Sequence, residues 1–269
     1  MAGKTGWLAA LSAASFRLRR FTLLVVGVTV TLLALGLRAF VLEAFQIPAG
    51  SMFPTLEIGD HFFVNKAVYG AFTKSAPARG DVLVFEDPES NPEQPRVDYV
   101  KRVIGLPNDT LEFESGAPLI NGWHVPRCKV GNASVAQSEE DASHDYQVFV
   151  EFLDGKAYLV ALDQSYDDRH QGPYRVAAGE FWVVGDNRNN SSDSRAWAGG
   201  KGAGVPFDNS KGRVWRLWLP AGRFGITLEG APTLPNTLRA LQPGLARCLA
   251  KAPRREQTTP PPAVAAAPN

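Results

Sequence analysis

Two residues of this chain have the chemistry of a nucleophile and its base, and both sit in segments that constrain them. Ser51 lies in Phe45-Gln-Ile-Pro-Ala-Gly-Ser-Met-Phe-Pro-Thr-Leu56, where Gly50 allows a sharp turn and Pro48 and Pro54 stiffen both sides. A serine on such a turn can expose its hydroxyl and offer its backbone N–H to a developing oxyanion. Lys101 lies in Tyr99-Val-Lys-Arg-Val-Ile104, a run of strand composition. In a strand Tyr99, Lys101 and Val103 share one face, which surrounds the amine with apolar neighbours. Burial disfavours the ammonium form, and a neutral amine can take a proton from a serine hydroxyl. Each segment also has a plainer reading by itself. Gly-Ser beside Pro describes many surface turns, and a strand lysine often reaches water from a sheet edge.

A third polar run, Gly185-Asp-Asn-Arg-Asn-Asn-Ser-Ser-Asp-Ser-Arg195, follows the apolar Phe181-Trp-Val-Val184. Its density of Asn, Asp and Ser suits a self-bonded turn or a solvated loop. Other chemistries lack support. The four histidines (His61, His124, His144, His170) form no HExxH, and Cys128 and Cys248 stand in no metal-ligand spacing. Their separation in sequence gives no reason to propose a disulfide. Net charge is +1, with no basic stripe interleaved with aromatics, so neither nucleic acid nor a metal or other cofactor is expected.

The three runs together resemble the bacterial type I signal peptidases (leader peptidases), a family of Ser-Lys proteases. Ser51-Met-Phe-Pro-Thr-Leu56 is similar to the family's Ser-Met-x-Pro-Thr-Leu segment, with Ser51 at the nucleophile's place. Tyr99 to Asp109 resembles its lysine box, with Lys101 at the place of the general base. Asn108 stands where Gly is usual, and Asn tolerates the positive φ such a turn needs. The polar run resembles the third box. By that match Ser191 orients Lys101, while Asp193 pairs with Arg195 to brace the loop; Asn189 replaces a usual Asp. Arg79-Gly-Asp-Val-Leu-Val-Phe85, Gly204-Val-Pro and Lys211-Gly-Arg-Val also follow family motifs, so the likeness covers roughly residues 20–220. It implies cleavage after an Ala-x-Ala-like site, with Phe45, Ile47, Pro48, Leu56, Tyr99 and Val100 lining the pockets for the small residues. The implied partners are signal peptides of exported pre-proteins and membrane lipid. Many Gram-negative relatives carry a serine hydroxyl two residues before the nucleophile, toward the oxyanion; this chain has Ala49, which leaves the Ser51 N–H as the assigned donor. Other Ser–Lys hydrolases, of the self-cleaving repressor type or of conjugative transfer, are competing readings, as is an anchored envelope-binding β domain.

The elements that must position these residues are also legible. Phe21 to Leu37 is 17 residues without a charge, and Ala39 to Leu42 extends it past Arg38. A spanning helix needs about 20 apolar residues, and Arg38 can snorkel to the headgroups. Residues 1–20 hold Lys4, Arg17, Arg19 and Arg20 and no acid, so residues 21–42 read as a single-pass anchor in the inner membrane, with everything beyond exported. Strand-like runs at Asp81–Phe85, Tyr99–Ile104, Tyr146–Phe152, Ala157–Leu162 and Phe181–Val184 then predict a mainly antiparallel β catalytic domain over 43–230. Residues 106–180 read as an inserted β subdomain. Leucines at three- and four-residue steps predict a short helix within 231–251, interrupted by Pro243. The Pro/Ala-rich residues 252–269 read as a disordered tail.

Overall fold

The computed structural model describes residues 19–33, 35–36, 41–69, 76–89, 97–136, 142–164 and 170–263. The chain divides into two units, Met1–Glu43 and Ala44–Asn269. In the first, residues 19–33 are helical and their apolar side chains, Phe21, Leu23, Leu24 and Leu32 among them, are exposed. No helix among the described residues is long and apolar enough to cross a membrane. Residues 34 and 37–40 of the expected span lie outside the described residues, and Leu42, its expected last residue, opens a strand.

Among the described residues, fourteen strands follow in chain order. The first four are β1 (Leu42–Gln46), β2 (His61–Asn65), β3 (Val82–Glu86) and β4 (Asp98–Gly105). Then come β5 (Thr110–Glu114), β6 (Ala117–Ile120), β7 (Trp123–His124), β8 (Arg127–Val135), β9 (His144–Leu153), β10 (Lys156–Asp163) and β11 (Gln171–Arg175). The last are β12 (Glu180–Val184), β13 (Val205–Pro206) and β14 (Ser210–Leu219). The strand pairs from β2 onward are antiparallel, apart from one isolated parallel bridge, Ala161–Asn187, so the mainly antiparallel β class read from the sequence is the one adopted.

Seven strands, ordered β1-β2-β14-β3-β4-β12-β13, form the sheet that carries the chemistry. Its middle is apolar on both faces, because successive strand residues point to opposite sides. Val82 and Val84 of β3 join one buried cluster with Met52, Leu56, Phe62, Val64, Val214 and Leu217. Leu83 and Phe85 join another with Val103, Phe181, Val183 and Trp197.

Strands β5 to β11 leave this sheet between β4 and β12, two neighbours that pair directly, so the excursion interrupts no ladder. They build a four-stranded sheet, β11-β5-β6-β7, and a three-stranded one, β10-β9-β8. Gly105 marks the exit: a Cβ there would lie 2.6 Å from Leu111 Cδ1 and 3.0 Å from Trp182 Cβ. Asn108 turns the chain next, at φ 71°, in the left-handed region that Asn tolerates.

The C-terminal segment departs from expectation in two ways. A 3-10 turn, Asn236–Leu241, leads into a helix, Gln242–Ala250, whose first turn contains Pro243. Proline there removes an N–H that has no helical partner anyway, so it starts the helix instead of breaking it. Residues 252–263, expected as part of a disordered tail, lie against the β subdomain. Thr258 is buried, the Asp154 N–H donates to its carbonyl (2.7 Å), and Asn121 Nδ2 donates to the Pro261 carbonyl (2.8 Å). Composition hid these bonds because they use backbone carbonyls, which every residue has. Residues 264–269 lie outside the described residues. Cys128 of β8 and Cys248 of the C-terminal helix form a disulfide.

Candidate active site

Ser51 occupies a one-turn 3-10 helix, Gly50–Met52, entered from an extended Ala49. The Ser51 N–H has no acceptor among the described residues and remains free to donate. Lys101 is delivered by β4, where it pairs with Leu83 of β3. Its side chain is 3% exposed, and its Nζ lies 2.8 Å from Ser51 Oγ, 3.2 Å from the Val100 carbonyl and 5.1 Å from the Tyr99 ring centre. Burial pushes the Lys101 amine down from 10.5 to about 8, against the upward pull of Asp193 and Asp186.

The polar run 185–195 is buried at both ends, residues 185–188 and 193–195, with Asn190 and Ser192 exposed between them, and it wraps the Ser51 turn. Asn187 donates from Nδ2 to the Gly50 carbonyl and from its backbone N–H to the Ser51 carbonyl, both at 3.1 Å. Gly185 packs against the same turn: a Cβ there would fall 2.3 Å from Ser191 Oγ and 2.5 Å from the Ser51 carbonyl oxygen. Three arginine–carboxylate pairs hold the run in place. Arg195 grips Asp193 through Nε and Nη2, each at 2.8 Å, and the Gly185 N–H donates to the same carboxylate at 2.9 Å. Burial raises the Asp193 carboxyl most, but Arg195, the Gly185 N–H and Ser191 together hold the group below its ordinary value. Arg102 grips Asp186 at 2.7 and 2.6 Å, and Arg188 grips Glu151 of β9 at 2.6 and 2.5 Å.

Asn189 bonds the Asp163 backbone twice, accepting from its N–H (2.8 Å) and donating to its carbonyl (2.6 Å). An ionised carboxylate could accept but could not donate. Ser191 is close to the site, but among the described residues no hydrogen bond joins its hydroxyl to Lys101; the hydroxyl instead helps to lower the Asp193 carboxyl.

A cleft in front of the Ser51–Lys101 pair is lined by Ile47, Pro48, Ala49, Tyr99 and Val100, with Asn190 and Ser192 on the far side. Of the six side chains expected in the substrate pockets, four meet here and two do not. Leu56 is fully buried among Phe62, Val64 and Val84, and Phe45 stacks on Phe62 with ring centres 6.0 Å apart. Sequence reasoning missed Asn187, Arg102, Asp186, Arg188 and Glu151. The available signal was Arg102 itself: an arginine in an apolar central strand must find a carboxylate.

Residues 20–218 match the model of the signal peptidase family, peptidase S26. A signal peptidase I from Pseudomonas fluorescens is 35% identical over 207 residues, covering 71% of this chain and 69% of its own. One from Leptolyngbya laminosa is 38% identical over 204 residues, covering 74% and 79%. A solved signal peptidase I from Enterococcus faecalis aligns over 52% of this chain and 97% of its own, at 22% identity and a TM-score of 0.28. That last likeness is too distant to carry an argument.

Proposed function

The chain belongs to the signal peptidases of the S26 family, and from that premise we propose that it removes signal peptides from exported pre-proteins by a Ser51–Lys101 dyad. The observation that carries this reading is the 2.8 Å approach of a buried, pKa-depressed lysine amine to a serine hydroxyl at the edge of an apolar cleft. Neutral Lys101 takes the Ser51 proton as Oγ attacks the scissile carbonyl carbon. The Ser51 N–H donates to the oxyanion, and with Ala49 in place of a hydroxyl-bearing residue it has no side-chain helper at that position. Lys101 passes the proton to the leaving amine. The acyl group on Ser51 is then hydrolysed by a water that Lys101 deprotonates in turn. Asp193 and Arg195 act as positioning residues for the loop behind the dyad.

Cleavage follows small residues. The apolar lining Ile47, Pro48, Tyr99 and Val100 beside the dyad suits small apolar side chains such as Ala. Residues 21–42 hold the protein in the bacterial inner membrane as a single-pass anchor, with the catalytic unit on the outer side. Seventeen uncharged residues preceded by four cations support that orientation. So does the disulfide, because such bonds persist in oxidising compartments. The test is cleavage of a pre-protein by the detergent-purified full chain beside its Ser51→Ala variant. A folded Ser51→Ala protein that retains substantial activity defeats the reading.

A further inference from the structure

Residues 236–261 lie beyond the segment that matches the family, yet they reach the loop that carries the proposed nucleophile. Thr237 Oγ1 donates to Glu57 Oε1 at 2.8 Å, and Glu57 sits six residues after Ser51. Leu238, Leu245 and Cys248 share one buried cluster with Phe53 and Tyr146, whose rings are 5.1 Å apart. Phe53 is two residues from Ser51 and follows it directly out of the 3-10 turn. Phe53 and Thr237 also line one small cavity together.

The same segment is fixed to the β subdomain along its length. Gly244 lies so close to β8 that a Cβ would stand 2.0 Å from the Val130 carbonyl oxygen. The Cys128–Cys248 disulfide locks the helix there, across a sequence separation of 120. Further on, the Gly155 N–H donates to Thr258 Oγ1 at 2.8 Å, and Asn121 bonds the Pro261 carbonyl.

We propose that residues 236–261 are a positioning strap for the nucleophile turn, which makes full activity depend on the Cys128–Cys248 disulfide. Asn187 and Gly185 hold the turn from the front, through the carbonyls of Gly50 and Ser51. The strap closes the other side, where Phe53 leaves the turn. Without the disulfide the helix is held only by its packing and a few hydrogen bonds. Loosening it uncovers Phe53 and lets Ser51 drift from Lys101, and small misplacements of reacting groups cost large factors in rate.

The proposal rests on Ser51 as the nucleophile, and the two fail separately: activity in Ser51→Ala removes that assignment, while active strap variants remove only the strap. The experiment compares full-length Cys128→Ser/Cys248→Ser and Leu238→Ala with Ile120→Ala, a large-to-small change in a different core cluster, which holds none of Phe53, Leu238 or Cys248. Each is assayed for kcat, KM, the acid limb of its pH–rate profile and its melting temperature. Both strap variants are expected to lose about ten- to a hundredfold in kcat with little change in KM and an unmoved limb. Ile120→Ala is expected to melt lower but keep its kcat. A kcat within twofold of wild type in either folded strap variant overturns the proposal, as does an equal fall in Ile120→Ala. Loss of the melting transition in both strap variants overturns it too, since the segment is then part of the global fold.

Discussion

Replacing Lys101 with methionine should stabilise the protein at neutral pH and lose that advantage as the pH rises. The folded chain holds this amine at about 8 because it is buried, against 10.5 for an ordinary lysine. Between those values the unfolded chain binds more protons than the folded one, so wild-type stability rises with pH through this window. Below about pH 8 the ionised amine imposes its full penalty. At pH 7 that penalty is about 3 kcal/mol, and at pH 10 it has fallen to about 1 kcal/mol. Methionine has a similar shape and no charge. It forfeits the bond to Ser51 Oγ, worth about 1 kcal/mol, equally at both pH values.

The readout is the difference in unfolding free energy between Lys101→Met and wild type, from urea titrations at pH 7 and pH 10. It should start in favour of the variant and shrink by about 2 kcal/mol between the two. Other alkaline groups titrate identically in both proteins and cancel. No thiol complicates the alkaline end, because both cysteines are in the disulfide. A difference constant to within about 0.5 kcal/mol would show that Lys101 does not titrate in this window. The case for a buried, deprotonated base would then fall.

Activity should follow the same group. kcat/KM should rise with pH to a plateau above about 8, and Lys101→Arg should be inactive at every pH because guanidinium does not give up its proton; a wild-type profile in that variant rules out the dyad. A substrate with Phe in place of Ala at position −1 should not be cleaved, whereas equal rates would show that Ile47, Pro48, Tyr99 and Val100 do not bound the site. Asn189→Asp should lower stability by about 1–3 kcal/mol, since the carboxylate cannot donate to the Asp163 carbonyl and meets it oxygen to oxygen. An unchanged urea midpoint would refute that account of the position.

Local pattern carried most of what could be read without a structure. The apolar runs around 82–86, 99–104 and 181–184 are strands because their side chains fill cores on both sheet faces. The face shared by Tyr99, Lys101 and Val103 follows from strand period alone. What escaped depends on pairs distant in sequence. Arg102 and Asp186 are 84 residues apart and Arg188 and Glu151 37, and nothing in either segment names the partner. The disulfide joins cysteines 120 apart, one on β8 and one on the C-terminal helix, and neither segment names the other. Leu56 was legible as apolar and near Ser51, but the turn after Ser51 sends it into the core and not the cleft. The run 185–195 has the composition of an exposed loop. Its charged residues, Asp186, Arg188, Asp193 and Arg195, are nevertheless buried, because each finds an opposite charge inside the fold.

That pairing bears on the proposed role of Lys101 as base in such charged surroundings. Asp193 and Asp186 both pull the Lys101 pKa upward, and an unpaired carboxylate beside an amine would hold it as an ammonium ion. Neither is unpaired. Arg195 takes both oxygens of Asp193, and Arg102 takes both oxygens of Asp186. Arg188 does the same for Glu151 on the far side of the loop. A guanidinium keeps its charge under any burial these proteins impose, whereas an ammonium can yield its proton to escape the desolvation cost. Around Ser51 the arginines therefore remain cationic and cancel the carboxylates. Lys101, without a carboxylate within ion-pairing distance among the described residues, is the group whose pKa burial lowers. Buried ion pairs are a weak source of stability, and apolar side chains of similar volume would often serve as well. Here they deliver something apolar packing does not: a polar loop stiff enough to fix the Ser51 carbonyl through Asn187, and electrically quiet enough to leave its neighbouring amine basic.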